Sequence, residues 1–469
     1  MQTLNNFDSK NLTVENTTTI VAPASGRGGA VALVRLSGPD AIDIAGRVID
    51  TDISSRAANT IEFARVVSGT EIIDEVMVAL FRGPRSYTGD DMVEISCHGS
   101  SYIVGRIISL LIASGAVMAQ PGEFTLRAFL AGKLDLSQAE AVADLISSDS
   151  AASHRIAMNQ MRGGYSAELA VMRDKLLHIA SLLELELDFS EEDVEFADRS
   201  TLRNLLIQIS EKVDKLMRSF AFGNVLKNGV PVAIVGAPNV GKSTLLNRFA
   251  GEERAIVSQI AGTTRDFIEE RIVLDGITFR FIDTAGLRDT SDEIETQGIV
   301  RTVERLRKAF VVLLMVEAGT PADVIHRQIQ SLELTGGQHL IVLLNKSEQA
   351  GSVPRIIEDL SSEGYTAIAI SAKSGKNIEE LGRALVNVMG EEGSLDNDSV
   401  IVSNARHREA LGLSKESLDQ ALNALDNGLP SDLIAEDIRL VLHNLSDITG
   451  QVTSDQVLEN IFSKFCIGK

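Results

Sequence analysis

The sequence predicts a chain of mixed class, with an α+β amino-terminal domain, an all-α bundle, and an α/β domain inserted between the two halves of that bundle. Three observations support this prediction. Strand-like apolar runs accompany a short amphipathic helix before residue 135, apolar stripes at helical spacing follow, and a glycine-framed loop near residue 240 separates an apolar run from a helical pattern. A length of 469 residues suffices for about three domains with separate cores. We place the boundaries at residues 1–135, 136–228, 229–390 and 391–469.

The amino-terminal segment is typical of mixed strands and helices. Apolar runs at 31–36, 77–81 and 92–97 predict strands, and 103–112 predicts a short amphipathic helix. Spacing alone shows no catalytic motif here. Glu94 and His98 are candidate site residues, although the residues alone favour solvation at a strand edge for both.

Two apolar stripes then predict a helical bundle. They consist of Leu169, Met172, Leu176, Ile179 and Leu183, and of Leu202, Leu205, Ile209, Val213 and Leu216. Ser137 and Glu140 have the spacing of a capping box at the start of this region. Helical periodicity returns after residue 400, at Leu433, Asp437, Leu440, Val441, Asn444 and Leu445. This block is either a separate domain or the second half of the bundle, and the acidic stretches that flank the α/β segment favour the second option.

The segment 229–390 predicts a doubly wound α/β domain. Asp275-Gly276 between two apolar runs is a strong hairpin signal. Apolar runs at 310–316, 340–344 and 367–370 alternate with helical stretches, as expected for buried parallel strands.

The central motif of this domain is Gly236-x4-Gly241-Lys242-Ser243, which lies between the apolar run 232–235 and a helical pattern. Such a loop presents backbone N–H groups and a helix amino terminus to phosphates. Lys242 is expected to reach the β- and γ-phosphates, and the Ser243 hydroxyl to hold Mg²⁺. The sequence therefore predicts binding of a nucleoside triphosphate.

Four further motifs indicate which nucleotide is bound. Thr264 is expected to complete the Mg²⁺ shell only while the γ-phosphate is present. In the segment 283–286, Asp283 is expected to hold Mg²⁺ through a water, and the Gly286 N–H to contact the γ-phosphate. The segment 345–348 stands in the place of the guanine-reading Asn-Lys-x-Asp, and 371–373 would offer a backbone N–H to the guanine O6. Five motifs in this order predict a Ras-like domain that binds GTP. The expected GTP-binding residues are Asn239, Val240, Gly241, Lys242, Ser243, Thr244, Ser258, Gln259, Ile260, Ala261, Gly262, Thr263, Thr264, Asp283, Thr284, Ala285, Gly286, Asn345, Lys346, Ser347, Glu348, Ser371, Ala372 and Lys373.

Two positions depart from the common pattern. Glu348 replaces aspartate and is one methylene longer, so guanine preference is expected to persist with lower affinity. Leu287 occupies the position where many small GTPases place the glutamine that orients the attacking water. Asn239 is a candidate ligand for a K⁺ ion, which would supply the positive charge that an arginine finger brings to the transition state elsewhere. Alternatively, Asn239 only caps the loop. The candidate ligands are Ser243 and Thr264 for Mg²⁺, and Asn239, Ser258, Ile260 and Thr263 for K⁺.

Composition narrows the class of protein. A net charge of −21 argues against RNA binding without a local basic patch or a basic partner. Cys97 and Cys466 are too few and too far apart for a disulfide framework or a zinc site. No apolar stretch approaches the roughly 18 residues of a membrane span, and the first residues lack the features of a signal peptide. We expect a cytoplasmic protein.

Along nearly its whole length the sequence resembles the bacterial tRNA-modification GTPases of the MnmE (TrmE) family. Besides the nucleotide-binding motifs, the resemblance rests on Gly26-Arg27-Gly28-Gly29, Arg35-Leu36-Ser37-Gly38, Ser86-Tyr87-Thr88-Gly89, the run 127–136, Asn404-Ala405-Arg406-His407 and Phe465-Cys466-Ile467-Gly468-Lys469. It implies a homodimer that binds a 5-formyl-tetrahydrofolate-type carrier through its amino-terminal domain. The matching positions are Arg35, Glu94, Lys133 and, from the carboxyl end, Lys469.

The resemblance also implies catalytic roles and a partner. Glu295 matches a glutamate that orients the attacking water through a bridging water when two K⁺-loaded GTPase domains meet, and Arg265 is a further catalytic candidate. Cys466 matches a tail cysteine needed for modification but not for GTP hydrolysis. The implied partner is the FAD-carrying flavoprotein MnmG (GidA), in a heterotetramer or larger complex. The pair would add an aminomethyl or carboxymethylaminomethyl group at C5 of the wobble uridine of certain tRNAs.

Two other functional classes are compatible with parts of the sequence. A GTP-dependent switch in ribosome assembly would use the same nucleotide motifs, but it predicts a basic appendage and leaves residues 465–469 unexplained. A non-enzymatic folate-binding module would use the GTPase domain only as a conformational gate. We rank both below the modification enzyme.

Overall fold

The computed structural model describes residues 18–26, 28–188, 199–251, 269–282, 306–335, 337–349, 353–392 and 400–468. These residues form two compact units, one within Met1–Ala143, Met161–Leu177 and Arg439–Lys469, the other within Asp144–Gln160 and His178–Ile438. The boundaries of these two units do not coincide with those of the four predicted segments. The predicted segment boundaries therefore stay a prediction. None of the helices in the described ranges is long and apolar enough to cross a membrane.

A six-stranded sheet in the order β3-β4-β5-β2-β1-β6 forms the centre of the first unit. Its elements are β1 (Ile20–Pro23), β2 (Val31–Ser37), α1 (Ala41–Gly46), β3 (Thr60–Ser68), β4 (Glu71–Phe81), β5 (Met92–His98), α2 (Ser101–Ala113), β6 (Val117–Met118) and α3 (Glu123–Leu130). Neighbouring strands are antiparallel except for β1 and β6. Apolar residues of α1 and α2 pack on one face of the sheet. The predicted strands and helix are confirmed, whereas β1, β3 and β6 were not predicted.

Four helices follow, namely α4 (Leu136–Ser147), α5 (Ala151–Met161), α6 (Gly164–Asp188) and α7 (Arg199–Asn228). The stripe from Leu169 to Leu183 is buried as predicted. Two details of the prediction are wrong. The capping box is formed by Asp135 and Gln138, whose side-chain oxygens accept from each other's backbone N–H at 2.8 and 2.9 Å. In α7, position 206 rather than position 205 faces the core, since Leu206 is buried and Leu205 is only partly buried.

The second unit contains another six-stranded sheet, in the order β12-β11-β10-β7-β9-β8. Its elements are β7 (Val230–Val235), α8 (Lys242–Gly251), β8 (Glu269–Leu274), β9 (Ile277–Ile282), β10 (Val311–Glu317), α9 (Ala322–Ser331), β11 (His339–Asn345), α10 (Val353–Ser362), β12 (Thr366–Ala369) and α11 (Ile378–Glu392). Every pair is parallel except the β8–β9 hairpin. Alternate residues of β10 and β11 belong to separate cores on the two faces, so the doubly wound prediction is confirmed.

The last helices are α12 (Ala405–Asp426), α13 (Ser431–Thr449) and α14 (Asp455–Phe462). In the second unit α12 packs along α7, and Arg203 on α7 forms an ion pair with Asp426 at 2.7 Å. Gly223 lies so close to the chain before α12 that a Cβ there would be 2.3 Å from the Val402 carbonyl oxygen. Residues on both sides of the α/β domain therefore share one bundle, as predicted.

The buried face of α13 matches the predicted stripe only in part. Its buried apolar residues are Ile434, Ala435, Ile438, Val441, Leu445 and Ile448, so Val441 and Leu445 are confirmed. Leu433 and Leu440 are exposed, because the stripe that meets the core begins one residue later.

The β8–β9 hairpin is attached to the helical region through Asp149, which precedes α5. The Asp149 carboxylate accepts from Arg271 at 3.1 Å and from the buried Thr278 hydroxyl at 2.8 Å. At the turn, Asp275 and Gly276 have φ angles of 48° and 76°, and the Gly276 carbonyl accepts from Ala152 N–H at 3.0 Å. Both turn residues are left-handed, as a two-residue hairpin of this kind requires.

We expect Asp149→Ala to lower the free energy of unfolding by about 1–3 kcal/mol, since it leaves the buried Thr278 hydroxyl without its acceptor and removes a charged hydrogen bond. Urea unfolding followed by circular dichroism measures the change. Asp419→Ala removes an exposed ion pair with Lys415 on α12 and serves as the control, with an expected loss of about 0.5 kcal/mol or less. Equal losses in the two variants would contradict the role given to Asp149.

Candidate functional site

The phosphate loop connects β7 to α8 and lies against the ends of β10 and β11. Gly236 has a φ of 157°, and a Cβ there would be 2.2 Å from the Met315 carbonyl oxygen. Gly241 has a φ of 110°, and a Cβ there would be 2.4 Å from Asn345 Nδ2. Side chains at these two positions would collide with the neighbouring strands, so the spacing of the two glycines follows from close packing as well as from loop geometry.

Asn345 joins the phosphate loop to the predicted guanine loop. Its side chain is buried at the end of β11, with 3 % of the residue exposed. Nδ2 donates to the Val240 carbonyl at 2.6 Å, and Oδ1 accepts from Ala372 N–H at 2.9 Å. Two motifs that are far apart in the chain are therefore held together by one amide.

The cationic and hydroxyl side chains that are predicted to bind phosphate lie at the start of α8. Lys242 Nζ donates to the carbonyls of Gly236 and Ala237 at 2.7 and 2.9 Å, so it lies over the loop. Ser243 and Thr244 are exposed in the first turn of α8. An exposed hydroxyl next to a lysine at a helix amino terminus fits a Mg²⁺–phosphate pair. Asn239, the candidate K⁺ ligand, is exposed in the same loop with a φ of 60°.

The predicted guanine end of the site combines charged side chains with a loop whose first residues, Ser371 and Ala372, are buried. Lys346 forms an ion pair with Glu317 at the end of β10. Ser347 N–H donates to the Ile370 carbonyl at 3.2 Å, which holds the 345–348 segment against the 371–373 segment. Hydrogen bonds from its own backbone N–H and from the Ser371 hydroxyl lower the pKa of the Glu348 carboxyl. Glu348 is thus kept as a carboxylate, the form that accepts from the guanine N1–H and N2 amine.

Several predicted site residues lie outside the described residues. They are Ser258, Gln259, Ile260, Ala261, Gly262, Thr263, Thr264, Arg265, Asp283, Thr284, Ala285, Gly286, Glu295 and Lys469.

A second polar cluster lies in the first unit, on the sheet face opposite to α1 and α2. Arg35 and Glu94 are cross-strand partners on β2 and β5, and Arg35 Nε donates to Glu94 Oε1 at 2.8 Å. Arg35 also donates to the Gly468 carbonyl at 3.3 Å, which brings the carboxyl-terminal motif to this pair. The guanidinium carbon lies 5.6 Å from the ring centroids of both Tyr87 and Phe124. Aromatic rings on a guanidinium hold its plane in place.

The expectation of solvation is wrong for Glu94 and confirmed for His98, whose side chain at the end of β5 is 71% exposed. Their strand β5 lies between β4 and β2, so it is not an edge strand. The Glu94 side chain is only 18 % exposed because it pairs with Arg35. His98 Nδ1 lies 2.7 Å from Oδ1 of the buried Asp74.

Lys133 and the carboxyl-terminal tail approach the same region of the first unit. Lys133 Nζ donates to the Pro84 carbonyl in the loop 83–89, the loop that also carries Tyr87. The tail is anchored by the buried Phe465, and the Cys466 carbonyl accepts from Gly122 N–H at 3.4 Å. Cys466 itself is exposed. The described candidate residues for the one-carbon carrier therefore surround one loop and one strand pair.

Sequence reasoning missed two features of these sites. Phe124 on α3 contacts Arg35 although the run 123–126 matched none of the quoted motifs. Arg248 on α8 donates to the Lys373 carbonyl at 2.5 Å, and no spacing in the sequence relates these two positions. Both contacts join separate elements, and such contacts carry no local signal.

Comparison with known proteins places the chain in one family. A model of the MnmE helical domain matches residues 136–466, and a model of the GTP-binding protein TrmE N-terminus matches residues 19–133. The tRNA modification GTPase MnmE of Bacteroides thetaiotaomicron is 49% identical over 465 residues, covering 97% of this chain and 100% of that protein. The proteins of the same name from Bacteroides fragilis and Cytophaga hutchinsonii are 50% and 48% identical, each covering 97% of this chain and 100% and 99% of their own lengths. The chain belongs to the MnmE family of tRNA modification GTPases.

Proposed function

We propose that the protein hydrolyses GTP and acts in the modification of tRNA. The observation that carries this proposal is the Asn345 amide, which joins the phosphate loop at Val240 to the guanine loop at Ala372. That arrangement fixes the distance between a phosphate-binding and a base-reading element, as recognition of one whole nucleotide requires. The names of the MnmE relatives support the same activity.

In this proposal the phosphate loop residues hold the substrate for hydrolysis. Backbone N–H groups from Gly241 onward and Lys242 Nζ bind the β- and γ-phosphates, and Ser243 with Thr264 hold Mg²⁺. Asn239 holds K⁺ together with Ser258, Ile260 and Thr263. Both ions supply positive charge where negative charge develops on the phosphates. Leu287 cannot orient the attacking water. We assign that role to Glu295 because the family resemblance implies it, and we keep Arg265 as a catalytic candidate.

The Arg35–Glu94 pair is the proposed site for a tetrahydrofolate-type one-carbon carrier. A guanidinium held by two aromatic rings is suited to the carboxylates of such a ligand, and the Glu94 carboxylate to N–H donors of its pterin ring. Lys133 adds a second cation beside the loop 83–89. We include Lys469 because it follows Gly468, whose carbonyl contacts Arg35.

The same face of the sheet is the proposed homodimer surface. Strand register places Ile61, Ala79, Glu94 and Arg35 in one row across four strands. Apolar side chains in this row and beside it are exposed, with exposed fractions of 65% for Ile61, 57% for Phe63 and 43% for Met77. An exposed apolar area of this kind beside a polar site is typical of a subunit interface. A dimer formed there would cover the one-carbon site.

The carboxyl-terminal tail and the negative net charge suggest which part of tRNA modification this chain performs and which part a partner performs. Cys466 is exposed and precedes by two residues Gly468, whose carbonyl contacts Arg35, and this supports a role for its thiol beside the proposed one-carbon site. A chain with a net charge of −21 needs positive charge from elsewhere to hold tRNA. We propose that the FAD-carrying flavoprotein MnmG (GidA) supplies it in a heterotetramer or larger complex, in the cytoplasm, and that the pair modifies C5 of the wobble uridine.

GTP turnover is expected to be faster in K⁺ than in Na⁺ buffer at equal ionic strength. Asn239→Ala should remove most of this difference and lower the K⁺-dependent rate by about 100-fold, since it deletes a ligand of the charge-stabilising ion. Glu295→Ala should lower the rate in both salts. Steady-state phosphate release measures these rates, with Asn228→Ala, an exposed asparagine at the end of α7, as the control. Equal wild-type rates in the two salts would exclude the K⁺ mechanism.

Arg35→Gln is expected to weaken binding of 5-formyl-tetrahydrofolate by about 10- to 100-fold, the usual effect of losing a charged hydrogen bond. Isothermal titration calorimetry on the full chain measures the affinity. The matched control is Arg65→Gln, because Arg65 forms a similar cross-strand pair with Glu75 on the same sheet at 3.2 Å. The site assignment fails if the two variants bind the folate equally well.

The two cysteines are expected to differ in reactivity and in function. Burial, with a further contribution from the Asp74 charge, raises the pKa of the Cys97 thiol to about 11, so iodoacetamide at pH 8 should alkylate Cys466 alone. Cys466→Ser should keep GTP turnover and lose tRNA modification in a reaction with the flavoprotein, whereas Cys97→Ala should keep both. Mass spectrometry of the peptides and of digested tRNA provides the readouts. Full modification by Cys466→Ser would remove this thiol from the chemistry.

A further inference from the structure

The helix that follows the phosphate loop also reaches the guanine end of the site. Helix α8 begins with Lys242 and carries Arg248 on its second turn. Arg248 Nη2 donates to the Lys373 backbone carbonyl at 2.5 Å. One helix therefore contacts both loops that the proposed nucleotide would touch.

Gly375 lies beside Arg248. A Cβ at Gly375 would be 3.7 Å from Arg248 Nε and Cζ, an ordinary packing distance, so the guanidinium lies next to this part of the loop. Gly375 has a φ of 83°, a conformation that favours glycine. The guanidinium is thus held on one side by the loop backbone and at its tip by the Lys373 carbonyl.

The loop that receives Arg248 is closed on itself. Ser371 N–H donates to the Lys376 carbonyl at 3.1 Å, and Gly375 N–H donates to the Ser371 carbonyl at 2.8 Å. On another side, Ala372 N–H donates to Asn345 at 2.9 Å. The loop 371–376 is therefore compact, and two side chains from different elements hold it in place: Asn345 from β11 and Arg248 from α8.

We propose that Arg248 is a positioning residue for guanine specificity. It fixes the 371–376 loop, whose backbone and Ser371 hydroxyl define the surroundings of the guanine-reading Glu348, while it leaves the phosphate loop untouched. Asn345 contacts both loops and cannot separate the two functions, whereas the hydrogen bond of Arg248 goes to the guanine loop alone. This inference rests on the proposed GTP binding.

The consequence is a separation of base recognition from phosphate binding. Loss of Arg248 frees the Lys373 carbonyl and lets the loop shift, which weakens contacts to the base. Contacts to the phosphates, which come from residues 236–243, stay in place. Guanine nucleotides should therefore lose affinity while adenine nucleotides, bound mainly through their phosphates, should not.

The test compares dissociation constants for fluorescently labelled GDP and ADP in the wild-type chain, Arg248→Ala and Arg248→Lys. We expect Arg248→Ala to weaken GDP binding by about 10-fold, the effect of losing one charged hydrogen bond, with ADP binding unchanged. Arg248→Lys should recover part of the GDP affinity, because an ammonium group can still donate to the Lys373 carbonyl. The control is Arg383→Ala, an exposed arginine on α11. Thermal unfolding of each nucleotide-free variant checks its fold.

Each outcome decides the matter. A fall of GDP and ADP affinity by the same factor in Arg248→Ala would show that Arg248 only supports α8 and the phosphate loop, and this would overturn the inference. An unchanged preference for GDP in both Arg248 variants would overturn it as well. A wild-type chain without preference for GDP over ADP would instead refute the proposed GTP binding. If Arg248→Ala does not fold, the comparison of GDP with ADP in Arg248→Lys decides the question, since its single hydrogen bond should still leave a reduced preference.

Discussion

The nucleotide-binding half of the molecule depends on a single buried amide, that of Asn345. A buried polar side chain must have its hydrogen bonds satisfied, and here the two partners belong to the two loops that are proposed to recognise the ends of a nucleotide. The close approach of Gly241 to the same amide means that loop, strand end and side chain share one packed arrangement. Because each group fixes the others, the fold itself holds the described phosphate loop and guanine loop together.

The first unit uses an ion pair in the corresponding role. Arg35 and Glu94 are held in register by two central strands, and the guanidinium is enclosed by two aromatic rings and by the backbone of the carboxyl-terminal tail. A charge that is only partly exposed needs such partners, since burial without them is costly. The pair is therefore a structural element of the sheet, and it is also the polar group on which the proposed one-carbon site rests.

Local signals predicted the local structure well. The Asp275-Gly276 turn, the strands of the α/β sheet and the glycine loop before α8 all occur at the predicted places, because turn chemistry and apolar runs act over a few residues. The buried faces and the caps of the helices were predicted less well. Leu205 and Leu206 are both apolar, and only packing decides which is buried, just as Asp135 rather than Ser137 caps α4. Periodicity indicates that a helix exists, but neighbouring elements select its buried face.

By itself, the sequence determined the order of elements, the nucleotide-binding motifs and the family to which the chain is similar, since each depends on spacing within a short segment. The tertiary structure alone decided which distant residues meet. Arg35 contacts a carbonyl 433 positions later in the chain, and Arg248 contacts one 125 positions later. Such contacts depend on how strands and helices pack, and no periodicity or motif in the chain encodes a partner at that distance. The division of the chain into two compact units, with the carboxyl-terminal tail in the same unit as the amino-terminal sheet, has the same origin.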